Sequence, residues 1–350
     1  LAKKAFVYDG TNWVDIAQST ADLTNYANMT TTPISGFRNA IINGGFDVWQ
    51  RGTTFSANNI YTADRWWHVN DSVGATSVTR VDADSALIPG CEYFLRMTRT
   101  SGTNRWVVGT NLETSVVKKF KGRTVTLSYW LRKGSALTAD TGVVLKTSTL
   151  ETRFNTTVDN SSLTITAAQL STSTFTKFTQ TLTIPATSTA LGLAVEFEVK
   201  SQAGAVNAFL DIAMVQLEVG TIATPFEQRP FGTELALCHR YYQKSARYNI
   251  APFSGTANVD VVHAAAGYAA TTGAVATPFR FPVPMRATPT LVVFDNNYAT
   301  NRVVRFTPGV GSSNNQTISY SEVSSVSVYL ESTGVSASGM YYQFTAEAEL

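Results

Sequence analysis

The chain has 350 residues, 44% of them hydrophobic, enough for sizeable buried cores and for two or three domains. Lys plus Arg number 27 against 25 Asp plus Glu, and the longest basic run is Lys118-Lys119-Phe120-Lys121, so nothing in the charge balance marks a nucleic-acid partner. Apolar runs such as Leu191 to Val195 fall well short of the roughly 20 residues of a membrane span, and membrane insertion is not expected.

In chain order, Ala5 to Tyr8 and Thr11 to Ile16 flank Asp9-Gly10, a pair suited to the positive φ angles of a two-residue type I′ turn, which predicts a small β-hairpin. Ala17 to Pro33 is rich in Thr, Ala and Asn and poor in large apolar residues, as in a stalk or a short helix near Thr20 to Asn28. We place the first boundary at 36. The N-terminus, a Leu with no signal-peptide pattern after it, reads as a fragment edge.

Between Phe37 and Phe226, strand signals recur. Leu191, Leu193, Val195, Phe197 and Val199 are apolar while Glu196 and Glu198 fall on the opposite face, the pattern of a half-buried antiparallel strand. Val125, Leu127, Tyr129 and Leu131 alternate with polar residues and Trp130 in the same way, and Phe178 to Ile184 stops at Pro185. Ala208 to Val219 reads as a strand covered on both faces. Many short antiparallel strands favour two packed sheets, with a jelly roll the common solution at this size. Thr233 to Lys244 then breaks the pattern as a short helix, N-capped by Thr233 and spaced through Leu235, Leu237, Cys238 and Tyr241.

Period-two signals resume at Ala257 to His263, Phe279 to Val283, Thr290 to Phe294, Val326 to Leu330 and Tyr341 to Ala346. The Pro-rich stretch Pro282 to Pro289 belongs at an edge or corner. The expected class is therefore all-β: an N-terminal hairpin and stalk or attachment segment over 1–36, a jelly-roll sandwich over 37–230, a connecting helix over 231–245 and a smaller β-sandwich over 246–350. Cys91 and Cys238 lack CxxC spacing and are expected as free, small apolar side chains.

Two blocks carry a resemblance. Asn39-Ala-Ile-Ile-Asn-Gly-Gly-Phe-Asp-Val-Trp-Gln-Arg-Gly-Thr53 with Tyr61-Thr-Ala-Asp-Arg-Trp-Trp67, and the later Val215-Gln-Leu-Glu-Val-Gly-Thr-Ile-Ala-Thr-Pro-Phe-Glu-Gln-Arg-Pro230 followed by Leu235 to Tyr242, resemble the opening and closing of the carbohydrate-binding-module-like jelly roll in phage tail-fibre and head-fibre proteins. Phe281 to Thr290 and Phe344 to Leu350 resemble the C-terminal knob that follows it. The resemblance implies location in a virion, trimerisation and, at the distal tail fibre, contact with host cell-surface polysaccharide or lipopolysaccharide. Other virion tail proteins would join through the N-terminal side. In the opening block, Asn43-Gly44-Gly45 permits a tight turn or bulge, Phe46 and Trp49 suit a core layer, and Asp64 and Arg65 suit a charge-assisted pair.

Sugar binding needs flat aromatic faces beside polar hydrogen-bonding groups. Trp66 and Trp67 face opposite ways in an extended strand, leaving Trp67 as an exposed candidate, and Arg105-Trp106 follows the loop-like Ser101 to Asn104. Trp67, Arg105 and Trp106 are thus the candidate glycan-binding residues, set against the plainer reading of each Trp as packed at an inter-sheet edge. The Gly309 to Gln316 stretch is a second candidate recognition tip. His239-Arg240-Tyr241-Tyr242 is a crude anion site or, more simply, packing. Catalysis is not expected: Glu196 and Glu198 are neighbours on one strand face rather than an acid pair across a substrate, and His68, His239 and His263 are scattered. No cofactor or metal site is expected; Asp47 is a conceivable calcium ligand without a loop of fixed ligand spacing. The leading expectation is a phage adhesin. Its rivals are a non-adhesive head fibre or tail adaptor, and a polysaccharide depolymerase.

Overall fold

A computed structural model describes residues 6–8, 13–15, 37–70, 76–152, 156–200, 206–248, 250–252, 262–265, 275–294, 302–306, 313–317, 320–332 and 339–350. The expected stalk lies outside the described residues. The N-terminal hairpin is present as β1 (Phe6–Tyr8) and β2 (Trp13–Asp15), antiparallel. Tyr8 pairs with Trp13, so four residues separate the strands instead of the two that Asp9-Gly10 predicted.

Twelve strands then form two six-stranded antiparallel sheets: β3 (Thr54–Phe55), β4 (Ile60–Tyr61), β5 (Trp67–Asn70), β6 (Thr76–Asp82), β7 (Tyr93–Arg99), β8 (Trp106–Leu112), β9 (Arg123–Lys133), β10 (Thr141–Ser148), β11 (Thr157–Ile165), β12 (Thr176–Ile184), β13 (Gly192–Val199) and β14 (Phe209–Val219). One sheet runs β11-β10-β13-β8-β5-β4, the other β12-β9-β14-β7-β6-β3. Between them lies the main core, where the alternating residues of β9 (Val125, Leu127, Tyr129, Leu131) and β13 (Leu193, Val195, Phe197, Val199) point inward as their sequence periods require. Leu191 lies just before β13 and is exposed. A helix the sequence reading missed, α1 (Thr114–Phe120), closes one end with Val117 and Phe120 in the core.

Strand β14 is buried along both faces, as its mixed composition predicted. Its inner residues Leu210, Ile212, Val215 and Leu217 join the core, while Ala213 and Met214 pack outward beneath Ile88, Phe94 and Phe175. Its register against β9 shifts between Ala213 and Gln216, and Met214 adopts φ 47°, the left-handed conformation of a bulge.

The connecting helix, α2, runs Phe231–His239. Its cap is Pro230, three residues before the expected Thr233, and the proline ring presets the entry φ. It ends earlier than expected because Tyr242–Lys244 leave as a strand, β15. Its buried face is Glu234 and Cys238, with the predicted Leu235 and Leu237 only half-buried.

The C-terminal strands are β16 (Val262–Ala265), β17 (Val275–Arg280), β18 (Thr290–Phe294), β19 (Arg302–Phe306), β20 (Ser313–Thr317), β21 (Tyr320–Val323), β22 (Ser327–Ser332) and β23 (Gly339–Glu347). β23 is the spine: β15 and β16 pair successively along it, as do β18 and β19, with β20 outside β19. A three-stranded sheet, β17-β22-β21, packs on it through Phe281, Leu330, Phe344 and Ala346. The Pro-rich stretch Pro282 to Pro289 is irregular, as expected. The expected recognition tip is not a continuous loop, since Ser313–Thr317 is strand; residues 309–312 lie outside the described residues.

Candidate functional site

The two resemblance blocks meet in space, and most of their polar side chains are consumed there. Asn39 Nδ2 donates to Val215 O (3.1 Å) and its Oδ1 accepts from Leu217 N (3.0 Å), which docks the opening block onto the bulge of β14. Gly44 belongs at this point because a Cβ would lie 2.1 Å from Val215 O, while Val215 N donates to Gly44 O. Asn43 has φ 58°; its amide donates to Val48 O and Asp64 O and accepts from Val48 N, all within 2.9 Å. From the closing block, Glu234 accepts from Asn43 N, and Arg229 pairs with Glu234 and Glu227 while donating to Asn39 O and Ile41 O.

The same blocks grip the C-terminal region. Asp64 and Arg65 do not pair with each other. Asp64, held near 6 by burial against the pull of Arg51, accepts from Gln50 N (2.7 Å) and Gln50 Nε2 (3.0 Å). Arg65 pairs with Glu349 and lies 3.6 Å over the Tyr241 ring, as Arg51 lies 3.7 Å over Tyr242. Lys244 Nζ donates to Gln50 O and Tyr61 OH to Leu350 O. Glu113, whose burial is outweighed by Arg240 and Tyr241, sits below the usual carboxylate range. His239 to Tyr242 thus mostly serve packing and pairing.

The predicted glycan residues are not brought together as a binding surface. Trp67 is 1% exposed and Trp106 0%. Trp67 does point away from the main core, but its ring lies against Gly109, where a Cβ would meet it at 2.5 Å, and its Nε1 donates to Asn111 Oδ1. Trp106 is not a loop residue. It opens β8 and alternates inward with Val108 and Leu112, so it is a core residue, and an exposed aromatic plate at either position is ruled out by burial. Arg105 remains partly exposed and pairs with Glu198 at 3.2 Å. Glu196 pairs with Lys146 of the neighbouring strand at 2.8 Å, so both acids of β13 are taken up by cations beside them.

Polar groups do converge elsewhere, in a shallow cleft of about 400 Å³ between the 83–92 turn and the start of α2. Asp47, Cys91, Glu92, Gln228, Arg229 and Phe231 line it. Phe231 is 45% exposed and is braced edge-on by Tyr248, with ring centroids 4.9 Å apart. Gln228 is anchored through its amide to Gly90 O. Burial, with added repulsion from Glu234 and Glu92, raises the Asp47 carboxyl to about 6. Cys91 donates to Tyr93 O and burial pushes its thiol up to about 12, so it is an inert wall; neither cysteine is in a disulfide. Sequence reading had singled out Asp47 only as a conceivable metal ligand. Among the described residues no cluster of His, Cys, Asp or Glu is arranged to hold a metal, and no helix is long and apolar enough to cross a membrane.

No protein-family model and no curated protein matches the sequence. Among solved structures, the chain is similar to the enzymatically active domain of bacteriophage CBA120 tailspike protein 4, at 13% identity and a TM-score of 0.36, over 52% of this chain and 21% of that one. It is similar to a family 16 carbohydrate-binding module at 16% identity and a TM-score of 0.28, over 40% of this chain and 84% of that one. A family 11 carbohydrate-binding module from Clostridium thermocellum gives 9% identity and a TM-score of 0.31, over 49% of this chain and 99% of that one. At these TM-scores none of the three lends its function to this chain.

Proposed function

We propose that this chain is a glycan-binding, non-catalytic component of a phage virion, in the distal tail fibre, and that it takes host-surface sugar in the cleft at Asp47, Gln228 and Phe231. The virion assignment, the homotrimer and the attachment of other tail proteins through the N-terminal side come from the resemblance of the two blocks. The observation that carries the binding assignment is the cleft. It joins an exposed, braced aromatic ring to a carboxylate and an amide on a rigid frame, the elements that stack on a sugar's C–H face and reach its hydroxyls. A depolymerase would need acids facing each other across a substrate, and the acids of β13 are engaged with cations on their own sheet.

The experiment is an array of bacterial surface polysaccharides probed with the full chain, its Phe231→Ala and its Gln228→Ala variants. Binding that falls at least fivefold in both variants supports the reading. Silence on the array together with a stable complex with another virion protein sinks it in favour of a structural head fibre or tail adaptor, a reading favoured by how completely the motif residues are spent on holding the fold.

A further inference from the structure

The outer face of the β12-β9-β14-β7-β6-β3 sheet carries a charge site that neither the cleft nor the resemblance blocks use. Across β6, β7, β14 and β9 the register sets Thr79, Arg96, Asp211 and Arg132 side by side in one row. Asp211 is completely buried, and the cost of burying a carboxylate is offset only by close pairing. Arg96 Nε and Nη2 donate to Oδ1 and Oδ2 at 2.7 and 3.0 Å, and Arg132 Nε and Nη2 donate to Oδ2 at 2.9 and 2.7 Å. One guanidinium would balance that charge; two leave an excess.

The excess is held on rigid supports. Arg96 lies 3.9 Å over the Phe209 ring, and Arg132 lies 5.5 Å from the Phe94 ring and 5.2 Å from that of Phe175. Their side chains keep 26% and 11% of their surface open. On the next strand an exposed Lys177 stands opposite the half-buried Trp130 of β9. The other carboxylate on this face of β14, Glu218, is buried and accepts from Thr224, away from the row. Two guanidiniums therefore hold one acid, with the exposed Lys177 on the flank of the row and two partly open aromatic rings beside it.

We propose that this face is a second binding site, which takes the carboxylate of an acidic sugar in a polysaccharide. A guanidinium already oriented by an acid and a ring loses little freedom on binding, and its remaining N–H edge suits a planar carboxylate. Phe209, beneath Arg96, and Trp130, packed beside Phe94 and Phe175, border the site and keep part of their surface open. The choice of a sugar as carrier of the carboxylate rests on the adhesin reading; the charge site does not.

Calorimetry with the full chain tests it, using tetragalacturonate, a neutral galactose tetramer and inorganic phosphate as probes. Lys177→Glu changes an exposed residue, and Arg96→Gln leaves Arg132 to pair Asp211, so both variants keep the fold. The acidic tetramer is expected to bind at least tenfold tighter than the neutral one, to lose about tenfold in each variant and to be unaffected by Asp47→Asn in the cleft. Equal binding of the two tetramers, or no loss in either variant, overturns the site. Displacement of the acidic tetramer by phosphate at equal concentration overturns the sugar as its ligand and leaves a plain anion site. If the cleft variants leave array binding unchanged while Lys177→Glu abolishes tetragalacturonate binding, the cleft reading falls and this one stands.

Discussion

The main sandwich and the C-terminal region spend their polar and apolar residues in different ways. In the sandwich, a continuous core between two six-stranded sheets is closed by buried amides and charges from the opening and closing blocks, with Asn39, Arg229 and Glu234 bridging more than 170 residues of sequence. In the C-terminal region one strand, β23, is the partner of four others, and the apolar contacts concentrate on Phe344 and its neighbours. The first is locked by many directional bonds; the second hangs on a single spine. Directional locks should fail abruptly when one buried member is removed, whereas a spine should fail without disturbing its neighbour.

The largest expected effect tests the lock. Asn43→Ala removes three buried side-chain hydrogen bonds, leaves Val48 and Asp64 backbone groups unsatisfied and places Ala at φ 58°, for a loss of about 4 kcal/mol in urea unfolding of the sandwich. A loss under about 1 kcal/mol would remove the distinction between the two regions. Next, Phe344→Ala should cost about 3 kcal/mol in the C-terminal region, and a second unfolding transition belonging to the sandwich should stay in place. A single transition shifted as a whole would show that Arg51, Arg65 and Glu349 fuse the regions into one cooperative unit.

Acid should separate them too. His68 is fully buried, contacts Val107 O and Thr76 Oγ1, and burial lowers it to about 4. Its folded pKa lies below the unfolded value, so its neutral form is what the fold keeps. That contribution is complete above about pH 6.5 and is lost as pH falls towards 4, by about 3 kcal/mol. Asp47 and Asp64, both raised to about 6, act in the opposite sense over part of the same range. The quantity to measure is therefore the stability of the native chain minus that of His68→Gln, which should fall between pH 6.5 and 4; a flat difference would mean that His68 accepts a proton without disturbing the sheet. Gly109→Ala should cost about 2 kcal/mol, because the new methyl meets Trp67 and Val195 O. The smallest effect is Phe231→Ala, with under about 0.5 kcal/mol in stability but a loss of glycan binding, measured by calorimetry against denaturation.

Strand periodicity was the legible part of this molecule. The inward sets of β9 and β13 follow from alternation, and both covered faces of β14 follow from its mixed composition. Trp106 obeyed the same rule, since Trp106, Val108 and Leu112 alternate, yet the loop before it drew attention away from that pattern. Trp67 was read as exposed because period two says only which side a residue faces. What covers that side depends on Gly109 and Asn111, some forty residues on. The Asp64 and Arg65 side chains found separate partners for the same reason: adjacency in sequence does not determine pairing once residues as distant as Glu349 fold back beside them. The cleft brings together Asp47, Glu92, Gln228 and Phe231 from three separate stretches, and no spacing rule in one sequence joins them.

The position of β23 sets an order of events during synthesis. β14, the last strand of the sandwich, leaves the ribosome more than a hundred residues before β23, so the sandwich can close its sheets while the C-terminal strands wait. β15 and β18 emerge without their partner and expose open edges until residues 339–347 arrive. A chain stalled in that interval would carry a finished sandwich followed by adhesive strands, the form in which neighbouring nascent copies of this protein are most prone to pair with one another.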